Sequence, residues 1–362
     1  MSWPMVKLGD AINIHYGKAL KADQRVSDGS VHVFGSSGII GNHDKTLCSY
    51  PTIIIGRKGS VGAITWAPDG GWIIDTAYYV EIKDNSKLDL RYLFYILSGV
   101  DLTKKTITTS IPGLNRDDLY DTFIKLPPFE EQKRIVDLLD KAEGIRQKRE
   151  QSIKLADDFL HSTFLKMFGD PVVNEKKWSV KKLKDVCDNV IDCPHSTPKW
   201  VDNGTVCIRT SNLSKGGWVW SDKRFVSDET YLERTKRGAI EEGDIILSRE
   251  GTVGVAAIVP ENLKLCMGQR LVQLKLDKNQ VTPEYLLAFL LYELDPVRIS
   301  RVMSGSTSKH INVSELKQLD VMLPPMEQQI LFSGIRKKII NISNKSNIDS
   351  SLFETLSFQL TS

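Results

Sequence analysis

The sequence predicts an α+β protein in which two mixed, strand-rich globular units are joined by two long antiparallel helices as a pseudo-twofold internal repeat. Three observations carry this prediction. Residues 126–168 hold a single apolar stripe at helical spacing for about forty residues. The opening of that stripe returns at Leu323, an offset of 197 residues. Short motifs in the rest of the chain also recur in unchanged order, and such a repeat sets the architecture before any local feature does.

The long helix opens on Pro127-Pro128, which suits a first helical turn because the missing N–H groups have no intrahelical partner there. Glu130 and Glu131 follow at the positive end of the helix dipole. Ile135, Leu138, Leu139, Ala142, Ile145, Ile153, Ala156, Leu160 and Phe164 then recur at three- and four-residue steps. At 1.5 Å per residue the rod is roughly 60 Å long. Gly169-Asp170-Pro171 stops it. A helix of this length with one apolar stripe needs a partner helix, as in a coiled coil. The partner begins at Leu323-Pro324-Pro325, and the offset lays Ile135 on Phe332, Leu138 on Ile335, Ala142 on Ile339 and Ile145 on Ile342. Gly334 and the Asn341 to Asn347 segment make this copy the weaker helix former, dependent on packing against the first.

Outside the helices, Leu114-Asn115 falls on Ile311-Asn312, Tyr92-Leu93 on Tyr285-Leu286, Gly59 to Gly62 on Gly251 to Gly254, and Trp3 with Leu8 on Trp178 with Leu183. The offset grows from 175 to 197 along the chain, so the second globular part carries about twenty-two extra residues. The expected domains are residues 1–125, the long helix 126–170, a second globular unit 171–322 and the second helix 323–362.

In the first globular unit, apolar runs bounded by Gly, Pro and Asp read as strands at Val31 to Phe34, Thr52 to Ile55, Val61 to Trp66, Trp72 to Ile74 and Tyr78 to Ile82, with a helix from Leu90 to Ser98. Three loops rich in small polar and basic residues lie between them: Gly35-Ser36-Ser37-Gly38, Gly56 to Ser60, and Thr106 to Gly113. Glycine lets backbone approach a ligand, Arg and Lys pair with phosphate or a guanine edge, and Ser, Thr and Asn bond to either. One such loop is as readily a plain turn; three, echoed in the second copy, favour a binding surface. In the second unit the strands read Val206 to Ile208, Trp218 to Trp220, Asp244 to Leu247, Val253 to Val259 and Leu271 to Leu276, and a helix begins near Pro283. Its loops are Arg209 to Asn212, Ser248 to Thr252, Gly268 to Arg270 and Ser304 to His310. Their chemistry differs from the first set, with Arg249-Glu250 where the first copy has Arg57-Lys58. The lysines from Lys176 to Lys184 read as a solvated face rather than a phosphate track.

Composition bounds the function classes. With 41% apolar and 26% charged residues the chain can bury a core in each half. The net charge of +3 permits nucleic-acid binding without demanding it. The sequence has no run of 18 apolar residues, and Met1-Ser2-Trp3-Pro4 does not open a signal peptide, so cytoplasm is the expected location and no membrane the expectation. The five cysteines form no C-x-x-C pair, and Cys187, Cys193 and His195 match zinc spacings poorly, so reduced buried thiols and no metal are expected. Pro68-Asp69 with Glu81-Ile82-Lys83 spells a PD...ExK nuclease pattern. The second copy lacks it, having Gln273-Leu274-Lys275 in the comparable strand. Leu126 to Phe129 lacks the polar first residue of a methyltransferase tetrad, and no P-loop, H-E-x-x-H or G-x-S-x-G sequence appears. The chain reads as a binder with no catalytic residues of its own.

The order Trp3, Leu8-Gly9-Asp10, then Gly35 to Gly41, then Gly56 to Gly62, then Leu126-Pro127-Pro128 with Glu131-Gln132 and a long helix, all repeated once, resembles the specificity subunit of type I restriction-modification systems. The resemblance covers the whole chain. It implies that each globular unit is a target recognition domain on one half of a bipartite site in double-stranded DNA. The paired helices would be a spacer and the dock for two methyltransferase subunits, with restriction and translocase subunits joining the assembly. S-adenosylmethionine, ATP and magnesium would belong to those partners, and this chain would hold no cofactor. The candidate DNA contacts are Ser36, Arg57, Lys58, Ser60, Thr108, Thr109 and Ser110 in the first unit, and Thr210, Asn212, Arg249, Thr252, Arg270, Ser306, Thr307 and Lys309 in the second. Because the loops differ, the two half-sites should differ. The competing class is a stand-alone interaction protein whose helices dimerise and whose globular units bind protein or RNA.

Overall fold

The computed structural model describes residues 3–107, 113–250, 253–295 and 311–345. They fall into two compact units that meet within the long helix, the first ending at Glu150 and the second beginning at Gln151. The repeat foreseen from motifs is present in the order and pairing of the two main sheets and the terminal ribbon of each unit. In the first unit a four-stranded antiparallel sheet runs in the order Ile12–Tyr16, Ala77–Ile82, Thr52–Gly56, Ile64–Ala67. In the second the order is Cys187–Asp192, Leu271–Leu276, Ile245–Ser248, Ala256–Ile258, also antiparallel. Each unit adds a three-stranded sheet with one antiparallel and one parallel pairing: Gly38–His43, Val31–Gly35, Trp72–Ile73 in the first, and Phe225–Val226, Thr205–Ile208, Leu265–Met267 in the second. A two-stranded ribbon precedes each long helix, Met5–Lys7 with Phe123–Lys125 and Ser179–Lys182 with Asp320–Leu323.

The cores follow from the same pattern. The helix Leu90–Gly99, capped by Asp89 accepting from the Tyr92 N–H, buries Tyr92, Leu93, Ile96 and Leu97 against Ile12, Ile14, Ile53 and Ile55. Its counterpart Pro283–Glu293, capped by Thr282, buries Tyr285, Leu286, Phe289 and Leu290 against Ile245, Leu247, Val272 and Leu274. The matched tyrosines do the same work: Tyr92 donates to the Lys125 carbonyl at 3.0 Å and Tyr285 to the Met322 carbonyl at 2.7 Å.

The Leu-Pro-Pro signature acquires a physical reason. The long helix is Phe129–Phe168, and the Pro128 carbonyl accepts the Gln132 N–H at 3.1 Å; the second helix is Met326–Lys345, and Pro325 accepts the Gln329 N–H at 3.2 Å. Both glutamines are buried. The Gln132 side chain donates to the Lys87 and Pro127 carbonyls and accepts the Asp89 N–H; Gln329 donates to Gln280 and Pro324 and accepts the Thr282 N–H. Each glutamine thus ties its long helix to the start of the preceding short one. The long helix stops as expected: Gly169 takes the left-handed conformation, φ 82°, and donates to Leu165.

The two helices pair in the second unit. Phe332 packs edge-on against Phe164 and Phe168, with ring centroids 5.8 and 5.5 Å apart. One turn further along its own helix, Arg336 lies within electrostatic reach of Asp157, about two turns before Phe164 on the long helix. The pair is therefore antiparallel there. The apolar stripe is less covered than its periodicity suggests: Ile135 and Leu139 are buried, but Leu138, Ile145, Ile153 and Ile342 are 39–65% exposed. Among the described residues no helix is long and apolar enough to cross a membrane.

Local differences from the sequence reading have physical causes. Val61 to Ala63 is a turn rather than strand, because Gly62 at φ 77° returns its N–H to the Gly56 carbonyl at 2.8 Å. Only Ala256–Ile258 of the expected Val253 to Val259 strand is regular, and Gly254 makes the equivalent turn at φ 81°. Of Trp218 to Trp220 only Trp218 lies in a strand. The strands Ile12–Tyr16 and Cys187–Asp192, unread in the sequence, form one edge of each four-stranded sheet. The extra length of the second copy enters largely at one place. The first unit joins Val31–Gly35 to Gly38–His43 through Ser36 and Ser37 alone, whereas the second spends residues 209–224 on the same connection.

Candidate nucleic-acid interface

In the first unit the strands Ile12–Tyr16 and Thr52–Gly56 finish, and Ala77–Ile82 begins, at one end of the four-stranded sheet. The loop after Gly56 is pinned there: Arg57 and Lys58 both donate N–H to the Thr76 carbonyl, at 2.9 and 3.1 Å, and the Leu114 N–H donates to the Arg57 carbonyl at 3.0 Å. A Cβ at Gly56 would lie 2.0 Å from the Ser60 carbonyl oxygen and 2.8 Å from that of Ser36, and one at Gly59 would sit 3.5 Å from the Ser36 hydroxyl. Ser36 thus meets Arg57, Lys58 and Ser60, a loop about twenty residues further along the chain, on one sheet end. Lys58 and Ser60 are exposed, and Arg57 and Ser36 are half-buried. Gly56→Ala is expected to destabilise the first unit by at least about 2 kcal/mol in urea denaturation, because backbone must move to admit the methyl. Gly113→Ala, whose Cβ would meet the Arg57 carbonyl oxygen at an ordinary 3.8 Å, is the near-neutral control.

Tyr16 and Arg116, not foreseen from the sequence, complete this sheet end. The Arg57 guanidinium lies 5.0 Å from the Tyr16 ring centroid and 5.7 Å from that of Tyr78; Arg116 lies 5.1 Å from Tyr16 and 5.9 Å from Tyr120. These are cation–π distances. Burial, reinforced by Tyr16 and opposed by Arg57, pushes the Tyr78 phenol up to about 12, so it stays protonated and donates to the Leu114 carbonyl at 3.0 Å. The signal that could have exposed Tyr16 is the alternation of buried Ile12 and Ile14, which ends on it.

The equivalent end of the second unit has different chemistry on the same backbone. The Ile311 N–H donates to the Arg249 carbonyl at 2.8 Å, as Leu114 does to Arg57. Arg249, however, is buried; its Nε is 3.3 Å from Asp192 Oδ1, its Nη1 3.7 Å from Glu250 Oε1 and its Nη2 3.4 Å from His195 Nδ1. Arg270 is exposed, takes a left-handed backbone at φ 65° and reaches Glu250 at 3.3 Å. Gln269 donates its amide to the His195 carbonyl. This end therefore mixes cations with two carboxylates, which can accept from a cytosine amino group but repel phosphate. Thr210 opens a short turn rooted near this end, since Arg209 packs 3.4 Å from where a Gly268 Cβ would be. Asn212 is buried and committed to that turn, accepting the Arg209 N–H and donating to the Val219 and Asp222 carbonyls, so it shapes the loop rather than facing outward. Thr108, Thr109, Ser110, Thr252, Ser306, Thr307 and Lys309 lie outside the described residues.

The groups weighed for catalysis go elsewhere. Glu81 pairs with His15 at 2.9 Å, and the Lys83 amine donates to the Gly9 carbonyl at 2.5 Å. All five cysteines are buried free thiols, and among the described residues no group of three or more His, Cys, Asp or Glu side chains could hold a metal ion.

Comparison with known proteins agrees with this geometry. The family model described as type I restriction modification DNA specificity domain matches residues 2–155 and again 175–351, one match per repeat. The chain is 22% identical over 369 residues to the type I restriction enzyme MjaVIII specificity subunit of Methanocaldococcus jannaschii, covering 94% of this chain and 86% of that protein. It is 21% identical to the EcoBI specificity subunit of Escherichia coli, covering 91% and 77%. Among solved structures, the S subunit of a type I restriction-modification system from M. genitalium shares the fold, with a TM-score of 0.67 at 15% identity over 100% of this chain and 95% of that one.

Proposed function

The chain belongs to the type I restriction-modification DNA specificity family, and from that premise we propose that it reads an asymmetric, bipartite site in double-stranded DNA for a methyltransferase and restriction assembly. The observation that carries this reading is the pair of sheet ends: one strand order and one set of backbone hydrogen bonds, bearing Arg57, Lys58 and Ser60 in one unit and, in the other, a buried Arg249 with Glu250 and the exposed Arg270. Equivalent scaffolds with unlike side chains read unlike half-sites. The exposed Leu138, Ile145, Leu155 and Phe159 on the long helix support a docking role for it, with methyltransferase subunits as the occupants and restriction subunits joining through the assembly. The chain is non-catalytic in this reading and acts in the cytoplasm; S-adenosylmethionine, ATP and magnesium belong to its partners.

Selection from a pool of randomised duplexes by the full chain, co-expressed with its methyltransferase partner, tests the reading. Enrichment of two different short sequences at a fixed separation is expected; enrichment of one continuous sequence, or of none, contradicts it. The helices as spacer give a second expectation. Inserting four residues, about one turn, at matching positions of Phe129–Phe168 and Met326–Lys345 should lengthen the unread gap in the selected site. A gap of unchanged length would remove the spacer role.

A further inference from the structure

We infer that Tyr16 is a positioning residue that holds Arg57 to read a guanine in the half-site of the first unit, a role the second unit has given up by placing Asp192 at the same point. The inference rests on the DNA-recognition reading above.

Sheet register makes the two positions equivalent. Tyr16 pairs with Tyr78, which pairs with Ile55, two residues before Arg57. Asp192 pairs with Val272, which pairs with Leu247, two residues before Arg249. What faces the arginine therefore differs between copies in a single row of the sheet. In the first unit it is an aromatic ring, 46% exposed, with the Arg57 and Arg116 guanidiniums 5.0 and 5.1 Å from its centroid. Stacking occupies the face of a guanidinium and leaves its N–H edge available. Of the five N–H donors of Arg57, one is spent on the Asp75 carbonyl at 3.1 Å, and among the described residues neither guanidinium has a carboxylate within ion-pairing distance. The buried Nε of Arg116 has no hydrogen-bond partner, so Arg116 is held by the rings of Tyr16 and Tyr120. An aligned guanidinium with two adjacent donors to spare is the group that takes guanine O6 and N7 together.

In the second unit the same arginine is 7% exposed along its side chain and is surrounded by Asp192, Glu250 and His195. Its guanidinium is buried among these groups, so the outward reading there passes to Arg270, exposed beside Glu250.

The test is the randomised-duplex selection repeated with variants. Tyr16→Ala and Arg57→Ala should each flatten the same guanine position, lowering the preference for guanine there by about tenfold or more, while the other half of the site keeps its bases and shows that the chain is folded. Tyr16→Phe, which retains the ring, should preserve the preference. Tyr16→Asp, which copies the second unit, should abolish it. The inference is overturned if Tyr16→Ala leaves every position unchanged, if Tyr16→Phe loses the preference as fully as Tyr16→Ala, or if Arg57→Ala weakens all sequences alike, which would assign it to phosphate. A wild-type chain that enriches no sequence would instead bring down the DNA-recognition reading itself, and this inference with it.

Discussion

Phe332→Ala is expected to cost the second unit about 3–5 kcal/mol, the range for emptying a fully buried phenylalanine site. Phe332 is the only described side chain of its helix that enters the ring cluster of Phe164, Phe168 and Tyr285, in which Phe168 and Tyr285 also meet edge to face at 4.8 Å. The cavity therefore opens where the long helix, the short helix Pro283–Glu293 and the helix Met326–Lys345 converge, and rigid rings cannot collapse into it. Urea denaturation should show the transition of the second unit shifted to lower urea at unchanged slope. A loss below about 1 kcal/mol would mean that the helix pair is held by something other than this contact.

Gln132→Leu is expected to destabilise the first unit by about 2–5 kcal/mol, although leucine fills much the same volume. The substitution strands the Asp89 N–H and the Lys87 and Pro127 carbonyls in a buried place, and each lost partner carries a desolvation penalty. Gln329→Leu should transfer the same loss to the second unit through Thr282, Gln280 and Pro324. Urea melts of the two variants should thus weaken different transitions. Two near-neutral variants would show that water replaces the amides and that the glutamines do not tie helix to helix.

These two sites also mark how far the sequence could be read. The long helix, its Pro-Pro start and its glycine stop were legible because helical periodicity and capping are local properties. The second copy was legible because the order of short motifs survives where identity and spacing do not. The role of the repeated glutamine was not, since it depends on where residues 87–89 and 280–282 fold back. At the sheet ends, the gathering of Ser36, Arg57, Lys58 and Ser60 was foreshadowed by glycine-rich loops. Arg249 looked like the twin of Arg57 until the strand Cys187–Asp192 placed a carboxylate beside it. Both edge strands escaped notice because polar residues interrupt their apolar positions, Asn13 and His15 in one and Asp188 and Asn189 in the other. Asn212 illustrates the reverse case: its residue type suits a base contact, but a buried Asn with three backbone partners is a loop anchor.

The central claim is that this chain selects the sequence its partners modify. Single-molecule sequencing of genomic DNA, scored for methyladenine in cells carrying the partner methyltransferase with and without this chain, tests it most directly. The account predicts a bipartite motif with two different halves, methylated only when the chain is present. An unchanged methylation pattern with both proteins expressed would contradict it and favour an interaction protein whose ligand is not DNA.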